Sequence, residues 1–316
     1  MKKIIFLLLT FSTVSAAVKD TIAKNHFKQF LILDDDDDCD ACGCSASGGS
    51  MGFASMLNAH FVGLRYFYQH YQSNDGLYSN SPWYDEQFNT VQLWARIPVV
   101  KRVQMSVLAP YHFHERETKK GNQNLSGIGD ITLMAMYQLY QTHTDSTYFA
   151  HTLQMGVGVK LPTGQFDQAN SGSLNPSFQA GTGSWDYSLA TEYTIRHKKI
   201  GLNTMAQYIL KSANKKEYQF GDQLNYAATL FYLYEKNKYS LAPQLGVAAE
   251  HYQSNVQRGQ KLDDTAGQVL FGKTGFEAGR EKLSFGFNFM WPLQQDLAGG
   301  NLKAIARWSI NLNYGL

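Results

Sequence analysis

The stretch that decides the fold is the last one, residues 302–316, which reads LKAIARWSINLNYGL. Its even-numbered residues are all apolar or aromatic, and its odd-numbered residues are charged or polar apart from Ile305 and Gly315. A period of two predicts a β-strand with one apolar and one polar face. In a soluble sandwich, the alternative, so long an apolar edge would promote aggregation. A strand that crosses a membrane needs about 9–11 residues and must belong to a closed barrel. The stretch therefore predicts the closing strand of a membrane barrel.

The composition of the whole chain fits a barrel with one wet face. The chain has 316 residues, of which 19 are Tyr and 19 are Phe, yet its mean hydropathy is negative. After the N-terminus there is no apolar run of about 20 residues, the length that a membrane helix needs. In a membrane barrel only alternate residues face lipid, so low hydropathy is expected. The net charge of +2 and the lack of a basic cluster argue against a nucleic-acid partner.

Amphipathic segments alternate with breaks from residue 56 to the end, which predicts twelve strands. Their approximate spans are 56–69, 86–97, 102–114, 128–140, 148–160, 184–196, 200–211, 221–234, 239–252, 266–277, 282–293 and 302–315. Short breaks alternate with long polar ones, such as 70–85, 115–127 and 161–183. This pattern is typical of outer-membrane barrels, in which the short turns are periplasmic. The sequence thus predicts an all-β fold: a transmembrane antiparallel up-and-down β-barrel of about twelve strands, with both chain ends in the periplasm.

The N-terminal residues predict export from the cytoplasm. Residues 1–16 have the basic start, apolar run and small-residue cleavage site of a signal peptide. Residues 17–55 form an acidic, cysteine-containing segment and linker, either periplasmic or inserted as a plug, and residues 56–316 form the barrel. The predicted location is the outer membrane of a Gram-negative bacterium. The expected partners are outer-membrane lipid and the barrel assembly machinery.

Three short motifs interrupt the strand pattern: SGIGD at 126–130, KLPTG at 160–164 and GTGS at 181–184. Their order and spacing resemble outer-membrane barrels of the "MetA-pathway of phenol degradation" type, over residues 90–316. The apolar ending also resembles the C-terminal signal of bacterial outer-membrane barrels, which usually end on Phe rather than Leu. The resemblance implies a channel or transporter for small hydrophobic or aromatic solutes. The cysteine segment lies outside it and is similar to related barrels of the Bacteroidetes type.

Charged residues collect on the polar parity of the strands, which predicts a polar lumen. The residues predicted to line the solute path and set its selectivity are Arg65, Arg96, Asp130, Lys160, Glu192, Arg196 and Arg307. Asp186, Glu250 and Lys303 share this parity. For Asp130 the alternative is a structural role, as a turn cap or as a partner of Lys160 or Arg196. His112 and His114 are predicted at the outer mouth, as a metal or solute site with Glu115 and Glu117, or as hydrogen-bonded wall.

The three cysteines, Cys39, Cys42 and Cys44, lie within six residues and follow five aspartates. Thiolates are soft ligands that suit Cu or Zn, so these residues are a candidate metal site with a periplasmic metal-handling partner. The alternatives are a disulfide with one spare thiol, which the periplasm favours, and an inert charged tail. The barrel itself is expected to need no cofactor.

The pentapeptide HYQSN occurs at 70–74 and again at 251–255. On an extended strand His70 and Ser73 point to opposite faces, so the histidine cannot activate the hydroxyl. We therefore predict no catalytic residues and no enzyme. The leading hypothesis is an outer-membrane channel that passes a small solute through a polar lumen. The alternatives are a non-conducting barrel that anchors a soft-metal-binding segment, and a barrel hydrolase.

Overall fold

The structure is a computed structural model that describes residues 55–74, 81–118, 121–142, 149–166 and 178–316. The strands are β1 (Phe61–Ser73), β2 (Tyr84–Val100), β3 (Val103–Thr118), β4 (Gly121–Ile128), β5 (Ile131–Gln141), β6 (Ala150–Leu161), β7 (Asp186–His197), β8 (Ile200–Lys211), β9 (Tyr218–Gln219), β10 (Gln223–Tyr232), β11 (Tyr234–Lys236), β12 (Tyr239–Tyr252), β13 (Val256–Gln257), β14 (Gln260–Lys261), β15 (Gly267–Arg280), β16 (Leu283–Leu297) and β17 (Leu302–Gly315). A 3-10 turn, Ala298–Gly300, precedes β17. Within these residues we find no helix that is long and apolar enough to cross a membrane.

The long strands close into one antiparallel ring. Each pairs with its neighbours along the chain, β1 pairs with β17, and β10 pairs with both β8 and β12. β4 and β5 both pair with β3 and act as one strand, interrupted at Gly129 and Asp130. Counted in this way, the described residues form the predicted barrel of twelve antiparallel strands, and this prediction is confirmed. β9, β13 and β14 form a separate three-stranded sheet.

The predicted strand boundaries agree closely, and two differences are informative. The first strand begins at Phe61 rather than at residue 56, because Ser55, Met56 and Leu57 are drawn to a lumen carboxylate. The Ser55 hydroxyl and the Met56 amide donate to the two Glu277 oxygens at 2.5 and 2.7 Å. The predicted break at 115–127 is also wrong, because β3 continues to Thr118 and pairs with β4. The segment 115–127 is rich in polar residues, which is typical of a loop, but a hairpin without an apolar face has the same composition.

The two faces of the wall differ as the alternation predicts. The predicted lipid-facing residues of β2, β6 and β16 are exposed or half-buried, and the residues between them are largely buried. On β17, the Leu312 side chain is 48% exposed whereas its neighbour Asn313 is 1% exposed. The outer face is therefore apolar and the lumen face carries the polar side chains.

The first residues of β17 depart from this alternation, and the faces that were predicted for them are wrong. His70 pairs with Ala306 but Tyr71 pairs with Ala304, so Ile305 is an extra residue, a β-bulge. A one-residue insertion exchanges the two faces of the strand beyond it. Leu302 and Ala304, predicted to face lipid, are therefore buried inside, and Lys303, predicted inside, is exposed. Its ammonium lies 3.9 Å from the ring centre of Trp83.

The outer face of β17 makes a direct test of the fold. Trp308 lies against Tyr66 and Tyr68, with ring centres 5.2 and 5.5 Å apart, and Ile310 is exposed. We expect the double change Trp308→Asp and Ile310→Asp to prevent assembly, because it places two charges on the lipid face and removes two apolar side chains from it. The measurement is the heat-modifiable electrophoretic mobility of membrane fractions. Asn311→Asp, on the lumen face of the same strand, is the matched control and should assemble; failure of both would contradict the face assignment.

Candidate functional site

The three glycine-containing motifs meet at a single junction, although they lie far apart in the chain. Asp130, between β4 and β5, is 1% exposed. One of its carboxylate oxygens accepts a hydrogen bond from the Gly164 amide at 2.9 Å. The other accepts from both the amide and the hydroxyl of Thr182, each at 2.9 Å. The carboxylate thus joins the start of β5 to both described ends of the β6–β7 loop (residues 162–185).

A lysine completes the charges of this junction. The Lys160 ammonium lies 3.3 Å from an Asp130 oxygen and 2.5 Å from an Asp186 oxygen, and all three side chains are almost fully buried. It also donates to the Thr182 hydroxyl at 2.5 Å, and the Ser184 hydroxyl donates to Asp186 at 3.0 Å. Asp130 is therefore paired with Lys160, as the structural alternative expected. Because one cation serves two buried carboxylates, the junction depends on every one of its hydrogen bonds.

Glycines allow the two ends of the loop to touch. A Cβ atom on Gly181 would lie 2.6 Å from the carbonyl carbon of Gly164, so the two backbones are in contact. Next to them, the Thr163 hydroxyl donates to the Gly129 carbonyl at 2.9 Å and accepts from the Ile131 amide at 3.0 Å. The motif residues thus fasten the β6–β7 loop to the barrel wall.

The lumen is divided into two parts, which the sequence did not predict. We call the end where β1 ends and β17 begins the outer end, because the predicted topology places the chain termini in the periplasm. The outer part is filled by a set of buried, mainly apolar residues that we call the lumen apolar cluster: Tyr71, Phe88, Leu125, Phe178, Ala180, Ala248, Tyr252, Val269, Phe271, Met290, Leu297, Ala298, Leu302 and Ala304. Phe178 and Ala180 come from the fastened loop. The outer part of the lumen thus combines apolar side chains, which the sequence did not predict there, with the charged residues of the polar parity.

A buried ion pair lies within this cluster. The Arg307 guanidinium donates to the two Glu250 oxygens at 2.8 and 2.9 Å, and it also donates to the Tyr71 hydroxyl. Its carbon Cζ lies 4.3 Å from the ring centre of Phe271. The Tyr252 hydroxyl donates to Glu250. Arg307 thus lies in the lumen as predicted by parity, but its charge is compensated.

The inner part of the lumen surrounds a cavity of about 50 Å³, whose lining combines charged residues with apolar ones such as Met134, Met136 and Met205. Arg96 binds Glu192 at 2.9 Å, and Glu192 also accepts from Asn203 at 2.9 Å. Arg65 donates to Gln92 at 2.6 Å, and its Cζ lies 4.2 Å and 4.3 Å from the ring centres of Phe67 and Trp94. The structure thus places Arg65, Arg96 and Glu192 in the lumen, whereas Arg196 is half-buried near the end of β7.

Two charged lumen residues on β15 were missed from the sequence. Lys273 lines the inner cavity and donates to the Thr229 hydroxyl at 3.4 Å. Glu277 holds the segment before β1 and also accepts from the Ser284 hydroxyl at 2.7 Å. Both lie on the polar face of the predicted strand 266–277, so the alternation of polar and apolar residues in the sequence could have identified them. The charged residues named in the inner lumen are three cations, Arg65, Arg96 and Lys273, and two anions, Glu192 and Glu277. Together they carry one excess positive charge.

The two histidines lie side by side in the lumen wall. Their ring centres are 4.8 Å apart. The His112 nitrogen Nδ1 is 2.8 Å from the Thr90 hydroxyl, and the His114 Nδ1 accepts from the Asn89 amide at 3.1 Å. Glu115 and Glu117 point to the exposed face, away from both rings. In the described ranges no group of three or more His, Cys, Asp or Glu could hold a metal ion.

Two sets of candidate residues remain: His70 and Ser73 of the first HYQSN repeat, and the three cysteines. His70 binds Asp85 at 2.8 Å, whereas the Ser73 hydroxyl donates to Glu86 at 2.7 Å on the buried face, so no serine–histidine pair forms at the first repeat. Cys39, Cys42 and Cys44, together with the signal peptide and the acidic segment, lie outside the described residues. Their metal, disulfide and inert-tail alternatives stay predictions.

The closed twelve-strand ring, the apolar outer face and the charged lumen define the class of protein as a transmembrane β-barrel. The family model for the MetA-pathway of phenol degradation matches residues 69–313, so the chain belongs to that family. The resemblance inferred from the motifs is confirmed, and it begins earlier than residue 90.

Two solved structures share the fold. An outer-membrane channel from Pseudomonas putida F1 is 16% identical, with a TM-score of 0.62 over 84% of this chain and 98% of that chain. The β domain of the Bordetella autotransporter BrkA is 10% identical, with a TM-score of 0.50 over 82% and 100% of the two chains. No curated protein matches the sequence. The fold is therefore that of outer-membrane barrels.

Proposed function

We propose that the protein is an outer-membrane channel for small hydrophobic or aromatic solutes. The observation that carries the proposal is the lumen apolar cluster, which provides an apolar contact surface inside a lumen that also carries charged side chains. An aromatic solute can place its ring against Phe88, Phe178 and Phe271, and a hydroxyl or carboxylate on the ring can reach the charged residues of the lumen. A sugar or a small inorganic ion has no apolar surface to offer this cluster and would lose part of its hydration there. Family membership and the fold shared with the Pseudomonas channel support the same class.

Phe178 and Ala180, at the described end of the β6–β7 loop, are the residues that must move for the outer part of the lumen to open. A twelve-stranded barrel has a narrow interior, and Phe178 and Ala180 fill part of it. The loop is fastened by polar contacts at Asp130, and it packs inside through apolar ones. Displacement of Phe178 and Ala180 would clear space in the outer part, and neither residue belongs to a strand. We therefore assign the junction around Asp130 and Lys160 a gating role, and the inner residues Arg65, Arg96, Glu192 and Lys273 a role in selectivity.

Uptake by whole cells tests the proposal. The full-length protein is produced in a Gram-negative host that lacks general porins, and initial uptake of phenol, benzoate and arabinose is compared. Lipopolysaccharide slows the passage of aromatic solutes through the outer membrane itself, so a channel is visible above this background. We expect faster uptake of phenol and benzoate and unchanged uptake of arabinose. The Trp308→Asp and Ile310→Asp variant, which should not assemble, is the control. An equal or larger rise for arabinose would overturn the proposal.

A further inference from the structure

The ring of Phe178 lies in a site built from side chains of the barrel wall. Its centre is 6.3 Å from the ring centres of both Phe88 and His114, and the Phe88 ring meets it edge to face. The Arg116 carbon Cζ lies 5.3 Å from the Phe178 ring centre, which is a cation–π distance. The Phe178 side chain is 5% exposed. Three wall residues on β2 and β3 thus contact one aromatic ring that comes from the β6–β7 loop.

One of these wall residues, His114, has a hydrogen-bond donor without a partner among the described residues. Its Nδ1 accepts from the Asn89 amide, so Nδ1 carries no proton and the ring proton is on Nε2. The side chain is 2% exposed, and no described group contacts Nε2 by a hydrogen bond. The two ring nitrogens point in nearly opposite directions, so the Nε2–H group points away from the β2 backbone. It is therefore placed to donate to a molecule that enters the site.

The neighbouring histidine does not offer a second donor at this site. His112 Nε2 also lacks a hydrogen-bond partner in the described part of the chain, but it lies against the backbone of Gly129, where an added Cβ atom would overlap it. Its other nitrogen, Nδ1, contacts the Thr90 hydroxyl. The connection between β4 and β5 therefore covers His112 Nε2. The ring beside His114, in contrast, is that of Phe178, which belongs to no strand.

We propose that the place held by the Phe178 ring is a binding site for a solute with one aromatic ring and an oxygen acceptor, such as benzoate or a phenol. The ring of the solute replaces that of Phe178 beside Phe88 and Arg116, and its oxygen accepts the hydrogen bond from His114 Nε2. The inference rests on the proposed channel function and identifies where the solute binds and which atoms recognise it. Phe178 is then an internal competitor, because the apparent affinity scales with the fraction of molecules in which Phe178 has left the site.

The chemistry of the site selects this class among molecules of similar size. An aliphatic ring lacks the electron-rich face that attracts the Arg116 guanidinium. An aromatic hydrocarbon without an oxygen would leave the buried His114 N–H group unsatisfied, which lowers its affinity relative to a ring that carries an acceptor. The site therefore favours an aromatic ring with an acceptor oxygen over either alternative.

Calorimetric titration of the purified full-length protein with benzoate and with cyclohexanecarboxylate tests the site. The two probes have the same charge and similar size, but only benzoate has an aromatic ring. We expect benzoate to bind several-fold more tightly to the native protein. His114→Phe keeps an aromatic ring at the wall and removes the donor, so it should weaken benzoate binding about tenfold. Phe178→Ala removes the competitor and should tighten benzoate binding several-fold.

Two control variants separate these effects from general changes in the barrel. His151→Phe makes the same substitution on β6, where His151 contacts the Tyr193 hydroxyl and has the lipid-facing parity, and it should leave benzoate binding unchanged. Phe271→Ala removes a ring of the same size from the lumen apolar cluster beside Arg307, and it should not tighten benzoate binding. Heat-modifiable electrophoretic mobility establishes that each variant has folded.

The outcomes separate the binding site from the channel. Absence of benzoate binding, or equal affinity of the native protein for the two probes, would overturn the site without the need for any variant to fold. Benzoate affinity that neither His114→Phe nor Phe178→Ala changes would also overturn it, as would equal tightening by Phe178→Ala and Phe271→Ala, which would indicate binding in a newly made cavity. Absence of benzoate uptake by cells, with binding that still depends on His114, would instead contradict the channel function alone.

Discussion

Asp130→Asn is expected to release the β6–β7 loop and to raise the ionic conductance of the barrel several-fold. The native carboxylate accepts three hydrogen bonds from Gly164 and Thr182 and lies beside the Lys160 ammonium. An asparagine keeps one acceptor atom and turns an NH₂ group toward an N–H donor. The Lys160 ammonium keeps its partner Asp186 in this variant, so the expected loss is that of the hydrogen bonds to the loop, about 1–3 kcal/mol for a buried donor left unsatisfied. The cost falls on the loop, because the strand pairs of the wall do not involve the Asp130 side chain.

Planar-bilayer recordings of single barrels, with limited proteolysis of the loop, measure this effect. Asp85→Asn is the control. The Asp85 carboxylate on β2 contacts the side chains of His70 and Gln72 on β1 at 2.8 and 3.0 Å, so this change alters contacts between two strands and none at the loop. Gly181→Ala should reproduce the Asp130→Asn result, because the added Cβ would meet the Gly164 backbone. Unchanged conductance and unchanged cleavage in both junction variants would show that the junction does not hold the loop.

Arg307→Met is expected to destabilise the barrel by roughly 3–5 kcal/mol, because it leaves the Glu250 carboxylate buried without its cation. Glu250→Leu should have a comparable effect for the converse reason. The double variant is expected to recover most of the stability, since no charge then remains in the lumen apolar cluster. The free energy of unfolding is measured by urea titration in lipid vesicles, and the four proteins form a double-mutant cycle.

An exposed ion pair provides the control for this cycle. Lys238 binds Glu281 at 2.5 Å, but their side chains are 67% and 55% exposed. Solvent-exposed pairs contribute about 0–1 kcal/mol, so Lys238→Met should change the stability little. If Arg307→Met has an effect as small as Lys238→Met, the lumen around Arg307 is hydrated and the apolar cluster does not exclude water.

The predictions for Asp130→Asn and Arg307→Met concern different parts of the lumen. The Asp130 junction fastens the segment that carries Phe178 and Ala180, whereas the Arg307–Glu250 pair supports the lumen apolar cluster against which these residues pack. A variant that weakens the first should change conductance more than stability, and a variant that weakens the second should change stability.

The sequence by itself determined the architecture of this protein. Period-two alternation and turn composition are local properties, so three strands, 200–211, 239–252 and 302–315, were predicted with the boundaries that the structure has. The closing contact between β1 and β17 followed from the even number of strands. The polar parity also placed Arg65, Arg96 and Glu192 in the lumen, because a strand has only two faces and lipid excludes charge from one of them.

Only the tertiary structure decided what the lumen contains. Asp130 and Thr182 are 52 residues apart in the chain, and no local pattern shows that they bind each other. The bulge at Ile305 moved Leu302 and Ala304 inside and Lys303 outside, because one inserted residue reverses the parity on which the prediction depended. Ile305 is also the residue that broke the alternation of the final stretch. That stretch, which predicted the barrel, pairs with β16 up to Arg307 and again at Leu302, because the registers of the two strands shift apart between these residues.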